Sequence, residues 1–283
     1  MVNYFLRVLA VSTVLTLTGV APALACNDGR RAAARSVPDR AGRAPLQIGD
    51  STSIFAAPVL GSLGIESDAK GCRYFGQAEG ILKARRHAHT LPAVVVISLG
   101  ANAPIARGQI SRVLDVVGKS RILALVTAPK SGTSNGEMHR SASVHPDQVL
   151  LVDWVRFSAG HGGWFGGDGL HVNSGGASAY AHLIRRRIAP YAFPPVRKLR
   201  LPRHSTEAVA CGTVRRRGVR RAVFIVRGHK SVLCPRARQL SRRSPLKPAD
   251  GWRTYDWRRT GQGPWEWVHA RGSRIVIATK RMS

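Results

Sequence analysis

Short apolar runs alternate with longer stretches of mixed character from residue 44 to about residue 193. The runs cover residues 46–48, 93–99, 122–128 and 149–152, with a weaker one near 64–68. Between them, apolar residues at helical spacing predict helices near 54–62, 75–89, 106–118 and 174–189. The last opens at Ser174, a candidate N-cap, and ends before Pro190, with Arg185, Arg186 and Arg187 where a helix C-terminus favours cations. Strands alternating with helices in this way predict an α/β fold: a three-layer α/β/α sandwich around a central parallel sheet.

The pattern changes on both sides of this region. Residues 26–43 are rich in Arg, Ala and Asp with little periodicity, and read as a tether. Residues 194–206 form a stiff basic linker, opened by Pro194-Pro-Val-Arg-Lys. Residues 207–283 then read as a small basic β-rich module, with short strands expected at 208–214, 221–227, 231–233 and 274–278. Trp252, Tyr255, Trp257, Trp265 and Trp267 crowd between Asp250 and His269. Aromatics interleaved with arginines suit a surface for glycans or anionic polymers, and equally suit the core of so small a module. No internal repeat is visible.

Targeting and charge narrow the setting. Arg7 precedes an apolar stretch over residues 8–20 that ends in Ala23-Leu-Ala25. Residues 1–25 therefore read as a signal peptide whose cleavage leaves Cys26 first. Ala23 is a poor lipobox residue, which argues against lipidation. No other stretch reaches the length of a membrane span, so the mature chain is expected to be exported, without a transmembrane segment and possible to retain at the wall. Cys26, Cys72, Cys211 and Cys234 fit an oxidising compartment and allow three pairings. Their distribution suggests Cys26 with Cys72 and Cys211 with Cys234. No Cys-x-x-Cys is present, so no structural zinc is expected, and nothing calls for another cofactor.

The formal net charge is +29, and residues 194–283 hold 23 Lys/Arg against 4 Asp/Glu. Such a field attracts polyanions. For an exported chain these are wall polymers, anionic glycans or lipid headgroups rather than nucleic acid.

Candidate chemistry gathers around Ser51. The run at 46–48 breaks at Gly49, and Gly49-Asp-Ser51 turns into the next helical stretch, which places the hydroxyl where free N–H groups favour negative charge. Asn102, in Gly100-Ala-Asn102, follows another predicted strand end and offers an amide donor for an oxyanion. Asp168 and His171, in Asp168-Gly-Leu-His171, can set a carboxylate against an imidazole whose other nitrogen then serves a serine.

Competing sites are weaker. Gly132-Thr-Ser-Asn-Gly136 matches the Gly-x-Ser-x-Gly elbow, with Asp153 and His171 downstream, but Pro129-Lys-Ser-Gly intervenes after the strand and the segment reads as a loop. His87 and His89 lack a nearby carboxylate or cysteine to complete a metal site. Asp50 is expected to support its turn, and Asp153 to close a strand.

Over residues 44–190 these blocks resemble the SGNH (GDSL-like) hydrolases, a flavodoxin-like fold. Gly49-Asp-Ser51 is similar to the block that carries the nucleophile. Gly100-Ala-Asn102 is similar to the block whose asparagine serves the oxyanion hole. Asp168-Gly-Leu-His171 is similar to the Asp-x-x-His block of acid and base. The stretch from Val149 through His171 to Ile184 particularly resembles SGNH domains of acyltransferases that O-acetylate wall glycans.

Two features depart from the family pattern. Ala103 follows the asparagine where an acidic residue or glycine is common, and the second block, an oxyanion N–H, falls on either Gly71 or Cys72. The resemblance implies a serine esterase or acyltransferase. Its catalytic residues would be Ser51, Asp168 and His171, and its oxyanion donors Ser51, Asn102 and Gly71 or Cys72. The implied substrates are acylated glycans or small esters, acetyl esters first. Lipid esters are the alternative within the enzyme class. An inactive protein that binds wall polymer through its basic module is the alternative outside it.

Overall fold

The computed structural model describes residues 26–36, 42–194 and 199–282, the last range without residues 229, 247, 248, 250, 259, 261 and 273. The leader expected over residues 1–25 lies outside them. The first sheet contains β1 (Gly29–Ala32), β2 (Leu46–Gly49), β3 (Glu66–Lys70), β4 (Val94–Ser98), β5 (Ile122–Val126) and β6 (Val149–Val152), in the order β1-β3-β2-β4-β5-β6. Strands β2 to β6 run parallel, and β1 closes the edge antiparallel to β3. The chain steps from β2 to β3 and then crosses back to β4, so the strand order reverses between β2 and β4. In open α/β sheets, functional groups collect beyond the carboxyl ends of the strands at such a reversal.

Successive residues of β4 face opposite layers because strand side chains alternate. Val94 and Val96 join a core with Leu60 of α1 (Ala57–Ser62) and Ile184 of α5 (Ser174–Ala192). Val95 and Ile97 join another with Leu82 of α2 (Phe75–His87), Val113 of α3 (Gln109–Val117) and Met138 of α4 (Gly132–Val144). Both faces are therefore dry, which is why β4 and β5 are buried at every residue and read as unbroken apolar runs. Strand β3 is Glu-Ser-Asp-Ala-Lys with only alternate residues buried, which explains its weak sequence signal.

Several expectations are corrected. The stretch expected to be a tether contributes β1, held by the Cys26–Cys72 disulfide and an Arg31–Asp68 ion pair at 3.5 Å. Its exposed residues carry no apolar alternation. Residues 132–144 form α4 instead of a loop. The buried face of α4 is Ser134, Met138 and Ser141, so hydroxyls hide the helical period. The helix expected at 54–62 begins earlier, as a tight turn over Ser51–Ala56 that passes into α1. Helix α5 runs through Pro190 to Ala192, and its N-cap is Asn173, whose side chain accepts from Gly176 N–H at 3.0 Å, not Ser174.

The C-terminal residues form a second, antiparallel sheet of β7 (Val209–Arg216), β8 (Val219–Arg227), β9 (Arg253–Asp256), β10 (Trp267–Arg271) and β11 (Ile275–Arg281), in the order β7-β8-β11-β10-β9. Helix α6 (Lys230–Arg242) lies on it, tied to β7 by the Cys211–Cys234 disulfide, so both suggested pairings are observed. The strand expected at residues 231–233 falls inside α6. Trp252, Trp257, Trp265 and Trp267 are all buried, so most of the aromatic cluster is core. Trp267 and Leu246 pack into the same cluster as α5, which joins the two sheets through a shared apolar seam. No described helix is long and apolar enough to cross a membrane.

Candidate active site

The end of β2 is built for a sharp turn. A Cβ on Gly49 would stand 2.0 Å from Ser53 Oγ and 2.3 Å from Gln47 Nε2, so only glycine fits there. Gln47 and Ser53 belong to a buried polar knot: Gln47 Nε2 donates to Ser53 Oγ at 3.2 Å, and Ser67 Oγ donates to Gln47 Oε1 at 2.5 Å. Asp50 caps the turn, accepting from Thr52 N–H at 3.0 Å and Thr52 Oγ1 at 2.6 Å. Burial pushes the Asp50 carboxyl above its ordinary value. It supports the turn, as its position suggested. Ser51 then opens the helical turn, where an N–H has no acceptor within the helix.

The loop before α5 delivers the other two groups. Gly166 N–H bonds the His171 carbonyl at 2.8 Å, Asn173 N–H bonds the Trp164 carbonyl at 3.0 Å, and Phe165 bridges Val172. Gly176 lets the backbone of Trp164 pass, because a Cβ there would lie 2.0 Å from the Trp164 oxygen. Asp168 Oδ1 accepts from the N–H groups of Leu170 and His171 at 2.9 and 3.1 Å, while Asp168 Oδ2 meets His171 Nδ1. The hydrogen bond with the His171 ring, helped by these amides, lowers the Asp168 carboxyl to about 2. The other ring nitrogen, His171 Nε2, lies 2.9 Å from Ser51 Oγ. Groups 120 residues apart are thus joined in one carboxylate, imidazole and hydroxyl chain. Lys130, at the end of the loop after β5, also holds the loop by donating to the Asp168 carbonyl.

Asn102 sits beyond β4 and donates from Nδ2 to the Arg73 carbonyl at 3.2 Å. Arg73 is buried and in turn holds the end of β2, with Nη1 donating to Gly49 O at 3.0 Å and Nη2 paired with Asp68 at 3.0 Å. Sequence reading missed Arg73, and a single arginine among 44 Lys/Arg gave no signal. Of the two second-block candidates, Gly71 is already engaged: its N–H donates to Asp28 O at 2.7 Å. Cys72, the other candidate, is held at φ +53° within its disulfide.

The competing sites fall elsewhere. Ser134 is buried on α4, donates to Gly100 O at 2.9 Å and accepts from Ile105 N–H at 3.1 Å, so it braces the loop carrying Asn102. Asp153 accepts from Thr127 Oγ1 and from Arg156 N–H, both at 3.1 Å, and closes the end of β6 as expected. His87 and His89 line an open cleft with Glu79, Lys83 and Asp115, and no group of three or more metal-ligating side chains is arranged to hold an ion among the described residues.

No family model matches the chain. The O-acetyltransferase OatA of Staphylococcus aureus is 30% identical over 154 residues, which are 52% of this chain and 25% of that protein. The peptidoglycan O-acetyltransferase OatA of Listeria monocytogenes is 30% identical over 91 residues, 32% of this chain and 15% of that protein. The chain thus spans about a quarter of the length of the curated relatives it matches. Among solved structures, the C-terminal catalytic domain of Streptococcus pneumoniae peptidoglycan O-acetyltransferase A aligns with 52% of this chain and 93% of that domain, at 21% identity and a TM-score of 0.47. About half of this chain is therefore similar in sequence to a stretch of O-acetyltransferases, a relation that the run from Val149 through His171 to Ile184 led one to expect.

Proposed function

We propose that this protein is an extracytoplasmic serine esterase or O-acyltransferase acting on ester-linked acetyl groups of wall glycans. The observation that carries the reading is the 2.9 Å approach of His171 Nε2 to Ser51 Oγ, with Asp168 behind the ring. His171 takes the hydroxyl proton as Ser51 Oγ attacks the acyl carbonyl carbon, and Asp168 fixes the ring and stabilises its cation. The oxyanion forms against the Ser51 N–H, the Asn102 amide and the Cys72 N–H, each donor contributing up to about 3–4 kcal/mol. Collapse expels the alcohol, which leaves with the proton from His171, and the acyl group stays on Ser51. Water or a sugar hydroxyl then attacks the acyl carbonyl with His171 as base, and Ser51 is regenerated.

A further observation supports export. Both cysteine pairs are oxidised, in keeping with a compartment outside the cytoplasm.

The test compares acetate release from an O-acetylated glycan with fatty acid release from a lipid ester, using wild type, Ser51→Ala and Ser134→Ala. Acetate release that disappears only with Ser51→Ala supports the reading. Turnover that survives Ser51→Ala, or wild-type protein that folds yet never reacts with a fluorophosphonate probe, overturns it. The second of these outcomes favours a wall-binding protein.

A further inference from the structure

Where the C-terminal sheet meets α5, the surface folds into a cleft of about 490 Å³. Three arginines line it, Arg185 and Arg186 from α5 and Arg253 from β9, and no acidic residue does. Phe193, Trp252 and Tyr255 supply aromatic walls. Several arginines elsewhere in the C-terminal residues answer a carboxylate: Arg258 pairs with Asp256, Arg221 with Glu266, and Arg216 with Asp147. The cleft differs. Arg186 is exposed and rests over the Phe157 ring at 5.2 Å, and neither it nor Arg253 pairs with a carboxylate among the described residues. Arg185 lies over Phe193 at 3.7 Å and gives one hydrogen bond to Leu63 O. Burial without an acidic neighbour pulls its guanidinium below the usual arginine range.

Guanidinium groups left without anions in a concave, partly aromatic site favour an anionic ligand, since each presents a planar fork of donors matched to phosphate or carboxylate. The shape selects among polyanions. A cleft of this volume accepts a few units of a slender polymer, whereas a membrane surface needs a broad exposed face. Helix α5 also sets its distance from the reaction centre. Arg185 lies eleven residues after Ser174, about 16 Å along the axis, and Ser174 follows His171 by three residues.

We propose that this seam is a second binding site, separate from Ser51, for a phosphodiester-bearing wall polymer whose anionic groups lie against Arg185, Arg186 and Arg253 while its polyol or sugar units contact Tyr255 and Trp252. The proposal rests on the reading above only for the compartment in which such a polymer is met. Holding the polymer there raises the local concentration of neighbouring wall glycan at the serine. It also replaces a diffuse attraction by the basic C-terminal residues with a defined site.

The experiment measures binding of full-length mature protein to synthetic poly(glycerol phosphate) at low salt, and turnover of a small acetyl ester in the same samples. The test variant is Arg186→Ala with Arg253→Ala, and the control removes the same charge from exposed positions elsewhere, Arg215→Ala with Arg220→Ala. The expected result is about tenfold weaker binding for the cleft variant and less than about twofold for the control, with ester turnover unchanged in both. Equal loss in the two variants, no binding by wild type, or tighter binding to vesicles of anionic phospholipid than to the polymer overturns the site. Absent ester turnover in wild type with the binding pattern intact would remove the catalytic reading and leave the cleft standing.

Discussion

Arg73 donates from Nη1 to the carbonyl of Gly49 at 3.0 Å, so a side chain from beyond β3 holds the end of the strand that leads to Ser51. The same guanidinium pairs with Asp68, and the backbone carbonyl of Arg73 accepts from Asn102. One residue therefore ties the turn that carries Ser51 to the side chain of Asn102. Arg73→Ala leaves a buried carbonyl and part of a carboxylate unpaired, a loss on the order of 3 kcal/mol. Arg73→Lys should fold but turn over an acetyl ester at least tenfold more slowly, with the larger effect on kcat than on KM. Thermal melts and steady-state kinetics on both variants check this. Unchanged kcat in a folded Arg73→Lys protein would remove Arg73 from the positioning of the site.

Gly49→Ala tests the turn itself. The added carbon would overlap Ser53 Oγ at 2.0 Å and Gln47 Nε2 at 2.3 Å, so the polar knot must move. Overpacking of this kind costs about 1–3 kcal/mol. Displacement of the Ser51 turn should lower turnover beyond the loss of folded protein. Denaturant titration gives the first quantity, and active-site titration with a fluorophosphonate gives the second.

Asp168 has a depressed carboxyl, from an ordinary value of 3.8 to about 2, chiefly through its bond to His171. Its sign follows the usual carboxylate case: the stabilisation is present above 3.8 and is lost as pH falls through about 2. Wild type should therefore lose thermal stability more steeply than Asp168→Asn across that window. Because the ring also loses its orienting anion, Asp168→Asn should cost about 10³–10⁴ in kcat near neutrality. Melting curves against pH and single-turnover rates provide the two readouts.

His269 offers a separate acid response in the C-terminal sheet. It is fully buried, its Nδ1 meets Thr254 Oγ1 at 2.9 Å, and burial together with Arg216 pulls its value down from 6.5 to about 4. A histidine kept neutral by the fold loses stability as pH falls from 6.5 towards 4, because only the unfolded chain takes up the proton. The loss approaches about 3 kcal/mol and levels off below the lower value. His269→Gln should flatten the pH dependence of stability between those limits. Urea titrations of both proteins from neutral to mildly acidic pH would show it, and parallel curves would contradict it.

The strands at residues 46–48, 93–99, 122–128 and 149–152 were legible because burial on both faces makes a strand continuously apolar. Helix α4 was hidden for the complementary reason: two of its three buried positions, Ser134 and Ser141, are hydroxyls, and Ser134 finds its partner across the fold at Gly100 O. Helix α6 was misread in part because Ser231, Val232 and Leu233 suit a strand locally. The aromatic residues near the C-terminus were ambiguous by composition alone. Burial in two apolar layers, with Trp267 in the seam, decided for core.

The amino-acid sequence alone carried the main parallel strands, most of the helices between them, a suggested pairing of the cysteines and the side-chain types at Ser51, Asn102, Asp168 and His171. Those features depend on local backbone preference, on spacing and on which residue types a motif contains. Only the tertiary structure decided which polar groups were already taken: Gly71 N–H by Asp28, Asn102 Nδ2 in part by Arg73, and Arg73 itself by Gly49 and Asp68. It likewise decided which arginines lacked a carboxylate. Hydrogen-bond donors and charges find partners through space, across tens of residues of chain, and no periodicity along that chain records which partner is near.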